Sequence, residues 1–126
     1  MRLTLVLTYQ FQTLLGIENN TRKLFQLENN GLLRVRNVRV DTETWADYVF
    51  KDDYKLMSLA KVEEFIIEKG HLPNIPSEEV ILKDGIDVAE MNVLLLQKIE
   101  ELTLYLIDQE KQILELKKQV ININQK

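Results

Sequence analysis

The chain has 126 residues, with 16 Lys and Arg against 20 Asp and Glu, one His, no Cys, four Gly and two Pro. This size admits one ordinary domain or part of a larger assembly, and 45% hydrophobic with 29% charged residues describes a folded chain, neither disordered nor collagen-like. Without cysteine there is no disulfide framework, thiol nucleophile or thiolate zinc site.

Charge is unevenly placed. Residues 1–40 carry Arg2, Arg22, Lys23, Arg34, Arg36 and Arg39 against Glu18 and Glu28, and the remainder is strongly acidic. Solvated strands followed by solvated acidic helices account for this. A nucleic-acid partner needs a basic stripe interleaved with stacking aromatics, whereas only Arg34, Arg36 and Arg39 cluster, so none is expected. The densest apolar run, Val93 to Leu96, is far short of a membrane span, and no membrane insertion is expected. Arg2 followed by Leu3 to Leu7 has the look of a signal peptide, but Thr8, Tyr9, Gln10 and Gln12 interrupt it and no small-residue cleavage site follows.

In chain order, Leu3, Leu5, Leu7, Tyr9 and Phe11 alternate with Thr4, Thr8, Gln10 and Gln12, predicting a half-buried strand from Leu3 to Gln12. A strand that begins almost at Met1 suggests the downstream end of a longer polypeptide. Asn19-Asn20 and Asn29-Asn30-Gly31 supply turn residues, so Lys23 to Leu27 and Leu32 to Val40 read as strands of a hairpin. The apolar phase changes between Leu33/Val35 and Val38/Val40, which a bulge near Arg36-Asn37 or two packing environments would accommodate.

After Asp41 the character changes to helix and loop, opening on the aromatic segment Trp45 to Phe50. Ser58 precedes the amphipathic set Leu59, Val62, Phe65 and Ile66, and Gly70 closes it, predicting a helix over about 59–69. Pro73 and Pro76 make residues 71–77 a rigid connector, with Ser77 placed to cap a brief turn at Glu78 to Leu82.

Asp87 with Glu90 forms an approximate capping box, and neither Pro nor Gly follows. Leu95, Ile99, Leu102, Leu106, Gln109, Ile113, Leu116, Val120 and Ile123 then alternate at spacings of four and three, a heptad seam with Ile99, Leu106, Ile113 and Val120 at a. A helix over 88–123 is roughly 54 Å long, beyond the diameter of about 35 Å expected for a compact chain of this size. An apolar stripe projecting into water calls for partner helices, and copies of the chain are the economical partner. β-Branched a and mostly Leu d positions favour a parallel dimer. Gln109 as a polar layer, and Leu104, Ile107, Leu114 and Ile121 outside the seam, widen the apolar face and favour three helices or packing against another part of the protein.

From about Val38 to Gln112 the chain carries Val38-Arg39-Val40, Trp45-Ala46-Asp47-Tyr48-Val49-Phe50, Asp53-Tyr54-Lys55-Leu56, Gly70-His71-Leu72-Pro73-Asn74-Ile75-Pro76-Ser77, and Glu90-Met91 through Lys98 to Tyr105. In these stretches it resembles a C-terminal region of tail-fibre-like and surface-exposed proteins of one bacterial phylum and its phages. Relatives commonly have Pro where Ala46 stands, and Gly where Asn74 and Ala89 stand. The resemblance implies a terminal module that follows a β-rich stalk and ends in a trimeric coiled coil; residues 1–37 fall outside it. Joined to the residue patterns above, this reads as an elongated α+β chain in three parts: an antiparallel β stalk over 1–40, a helix and loop collar over 41–86, and a parallel, homotrimeric coiled coil over 87–126. Other fibre or baseplate proteins are the implied partners, and a virion tail or extracellular appendage the implied location. No reaction or cofactor is implied.

Each residue with chemical potential also has a structural use. Ser58 and Ser77, the only serines, sit where caps belong and lack the Ser-Asp…Lys context of self-cleaving fibre chaperones, although a chaperone role without cleavage stays open. His71 is the only histidine, which excludes a two-histidine metal site within one chain, and the neighbouring prolines mark it as a turn residue. Asp41, Glu43 and Asp52 echo a calcium loop that Trp45 and Ala46 spoil, and Asp52-Asp53 reads as solvated charge. Trp45, Tyr48, Phe50 and Tyr54 are expected to anchor the collar core, with a sugar-stacking platform for a cell-surface glycan as the alternative. The chain is expected not to be an enzyme.

Overall fold

The computed structural model describes residues 2–4, 13–19 and 22–125, in two units, residues 1–40 and 41–126. The architecture is α+β: a small antiparallel sheet in the first unit, helices in the second.

The sheet has four strands in the order β1-β2-β3-β4, with β1 Arg2–Thr4, β2 Thr13–Glu18, β3 Lys23–Glu28 and β4 Leu33–Val35. Every neighbouring pair is antiparallel. The register sets Ile17, Phe25 and Val35 in one cross-strand row and Leu15, Leu27 and Leu33 in the next, so one face is apolar. The hairpin forms where the Asn and Gly residues point to it: Gly31, at φ 85°, donates its N–H to Glu28 O, and Leu32 N–H is held by Asn30 Oδ1. Glu28 is buried and paired with Arg34 at 2.7 Å.

Two strand expectations change, and a third is described only at its start, where Leu3 and Thr4 lie in β1. Most of the Leu3 to Gln12 strand lies outside the described residues, as does Asn20. A strand that alternation did not predict, β2, pairs with β3 through two register shifts. β4 stops at Val35, and no bulge carries it to Val40; instead Arg36 turns its Nε to Lys23 O at 3.0 Å, and Val38 and Val40 are exposed coil.

In the second unit a 3-10 helix, Ala46–Phe50, is followed by α1 Leu59–Lys69, α2 Glu78–Asp84 and α3 Val88–Asn124. The ends of α1 follow its capping chemistry: Ser58 Oγ accepts from Lys61 N–H, and Gly70, at φ 74°, returns its N–H to Ile66 O. Ser77 stands at the N-cap of α2 but makes no side-chain cap bond. Asp87 caps α3 by accepting from Glu90 N–H at 2.9 Å.

Between α1 and α2, Ile75 N–H bonds Leu72 O around Pro73 and Asn74, and Asn74 lies at φ 63°. Proline followed by a positive-φ residue is the pattern of a type II turn. Pro73 is buried inside it and Leu72 is displayed outward. His71 stacks edge-on to Phe65 at 5.5 Å and contacts Leu72 O through Nδ1, a turn residue as expected.

Candidate oligomerisation face and collar network

The core of the second unit lies between the 3-10 helix and the first half of α3. Ala46 and Val49 are the buried residues of the 3-10 helix, and Val93 is the buried apolar residue of α3. The remaining buried residues of α3 are Gln97, Lys98 and Glu100, all polar.

These polar groups form a connected network. Tyr48 Oη donates to Gln97 Oε1 at 2.6 Å, and Gln97 Nε2 donates to Tyr54 Oη at 3.1 Å and to Glu101 Oε1 at 2.8 Å. Tyr54 Oη donates to Glu101 Oε1, and Lys98 Nζ bonds Glu101 Oε2 at 2.7 Å. The Tyr48 and Tyr54 rings lie 6.0 Å apart and tilted. Lower down, Tyr105 Oη donates to Met57 O, tying the loop before α1 to the same helix.

Electrostatics follow from the network. Burial, then the Glu101 hydrogen bond, pushes Tyr54 up to about 12. Burial alone would raise Glu101, but hydrogen bonds from Lys98, Tyr54 and Gln97 outweigh it and hold the carboxyl below the usual range. Burial, then the Glu101 charge, also raises Tyr105. Glu100 is the exception: its Oε2 is buried without a hydrogen-bond partner, and burial followed by the Asp47 charge raises its pKa.

The heptad residues have the opposite fate. Leu95, Ile99, Leu102, Leu106, Ile113, Leu116 and Val120 are all at least half exposed, Gln109 is exposed, and Ile123 is 71% exposed. At about 100° per residue, Val93, Gln97, Glu100 and Leu104 fall within an arc of roughly 60°, and the seam is centred roughly 180° from it. The collar therefore packs on the back and the Lys98 flank of the heptad helix and leaves the seam residues at least half exposed. From Leu106 to Gln125 every residue is exposed.

Of the expected collar anchors, Tyr48 and Tyr54 are half-buried through the network, but Trp45 and Phe50 are not anchors: they are 54% and 55% exposed. The small Ala46 and Val49 are the residues of this segment that are buried instead. Gln97, Lys98, Glu100 and Glu101 were not expected at the site, since polar residues outside a and d read as solvated. Asp41 and Glu43 line a shallow depression with Asp87 and Glu90 at the start of α3, and among the described residues no group of three or more potential ligands is arranged to hold a metal. Among the described residues no helix is long and apolar enough to cross a membrane.

Comparison with models of known families, with curated proteins and with solved structures returns no match.

Proposed function

We propose that the chain is a structural, self-associating component of a tail fibre or surface appendage, in which α3 brings copies together as a parallel, homotrimeric coiled coil. One observation carries the reading: a four-heptad apolar seam stands exposed on the face of α3 opposite the collar. The last five or so turns of α3 have no buried or half-buried residue, and a helix without tertiary packing is marginal in water. Partner helices supply that packing. Three are favoured over two because Ile107, Leu114 and Ile121 add a second exposed apolar stripe beside the seam. Gln109 sets register as a polar layer. The resemblance at Trp45 to Phe50, Gly70 to Ser77 and Lys98 to Tyr105 supports placing this assembly in a fibre. Sedimentation equilibrium at micromolar concentration tests it: a mass of three chains is expected, and a monomer overturns it.

A second reading, a glycan-binding fibre tip, is favoured by the exposure of Trp45 and Phe50 at either end of one short helix. Glycan-array binding that disappears in Trp45→Ala, with the oligomer intact, is its expected signature.

A further inference from the structure

The collar does not sit evenly on α3. Besides the back of the helix it reaches one flank, the side of Lys98 and Tyr105, which are the g positions of the heptad. There a groove of about 160 Å³ opens between α3 and the segments before and after α1, walled by Met57, Leu59, Leu72 and Pro73. Its walls are unfilled apolar surface, with Met57 39%, Leu59 46% and Leu72 43% exposed. The opposite flank of α3, the e and b positions, is covered by the 3-10 helix at Glu100 and bare one heptad later at Ile107, which is 44% exposed.

In a parallel bundle the g position of one helix lies beside the following e position of its neighbour, and the outer crevice is bounded by g and c of one chain and e and b of the next. Lys98 thus meets Thr103 of the next copy and Tyr105 meets Glu110, with Ile107 between them at b. We propose that the groove is a half-site completed by a second copy of this chain, whose Ile107 enters between Leu72 and Tyr105. This rests on the coiled-coil reading and adds to it a contact outside the seam. Three features match: an open apolar groove on the g flank, a bare apolar residue on the e and b flank at the right heptad, and opposite charges beside them. Lys55 lines the groove, and Glu110 of the incoming helix follows Ile107 by one turn. A trimer repeats the contact three times around the bundle, so each collar clasps its neighbour and the assembly acquires a handed order.

The natural chain has no cysteine, so paired substitutions report cleanly. A Leu72→Cys chain and a differently tagged Ile107→Cys chain are refolded together and oxidised. A covalent dimer carrying both tags is expected, while Ile113→Cys alone links to itself through the seam. If Ile113→Cys links and the mixed pair does not, the groove proposal fails and the bundle stands. If neither links and the protein sediments as a monomer, both fail. Ile107→Asp, on an exposed position, is expected to weaken self-association about tenfold and leave the unfolding midpoint of the collar unchanged. An unchanged association constant would also overturn the proposal.

Discussion

Two faces of the same helix, a few ångströms apart, obey opposite rules. On the back of α3 the chain buries Gln97 and Glu100; on the front it exposes Leu95, Ile99, Leu102 and Leu106. A solitary folded chain gains by burying its apolar face against its own core. Here the polar face is the one packed, through hydrogen bonds that hold the collar at a definite position, and the apolar face is kept back. On this helix polarity marks where the chain binds itself, and the exposed apolar stripe is the surface that the proposed self-association would cover.

The contrast breaks most completely if the seam is given charge. Leu106→Asp places an unpaired carboxylate in the middle of every bundle, at a cost of several kcal/mol, about a thousandfold or more in association. Sedimentation is expected to show monomers, and circular dichroism a loss of helix corresponding to the turns beyond Leu106. Retained helicity in a monomer would mean that the front face needs no partner.

The back face is tested by Gln97→Ala. The change removes bonds to Tyr48, Tyr54 and Glu101 at once and leaves their buried polar atoms short of partners, worth about 2–3 kcal/mol. Urea unfolding of the collar is expected to shift by that amount, with the oligomeric mass retained. Loss of both together would show that the faces are not independent.

A finer test is pH, because the two neighbouring glutamates carry opposite signs. Glu101 has a folded pKa below its unfolded value, so it contributes stability above the unfolded carboxylate value, about 4.3, and loses it as pH falls through the folded value. Glu100 has a folded pKa above its unfolded value, so its charge destabilises the fold at neutral pH and the penalty disappears on acidification through the raised value. Glu100→Gln is therefore expected to raise the urea midpoint at pH 7, with the advantage over the natural chain shrinking as pH approaches 4. A lower midpoint at pH 7 would mean that the buried Oε2 has a partner in the assembly, which would join the two faces.

Local chemistry explains which parts were legible in the sequence. The ends of α1 follow from Ser58 and Gly70, the start of α3 from Asp87 and Glu90, and the hairpin from Asn30-Gly31, because caps and turns are decided within a few residues. Strand β2 was not legible: Thr13-Leu14-Leu15-Gly16-Ile17-Glu18 pairs through two register shifts, and each shift destroys the period of two on which strand recognition rests. The heptad seam was legible as a pattern, but the collar network was not. Its tyrosines stand 43 to 49 positions from Gln97 along the chain, and nothing local distinguishes Gln97 or Glu101 from solvated residues. Trp45 and Phe50 show a related limit: ring size by itself does not say which side of a short helix faces the core, and here Ala46 and Val49 do.

The smallest expected effect lies at the rim of the groove. Asn74 holds a left-handed φ of 63° in the turn that buries Pro73 and displays Leu72. Asparagine accepts this conformation by local hydrogen bonding, alanine pays about 1 kcal/mol, and glycine pays no steric penalty. Asn74→Gly should leave stability within a few tenths of a kcal/mol, whereas Asn74→Ala should lower it by about 1 kcal/mol. The informative quantity is association. If the turn only connects α1 to α2, Asn74→Ala weakens the collar and leaves self-association unchanged. If the turn aims Leu72 at a neighbour, the same substitution also lowers the association constant, and Asn74→Gly does not.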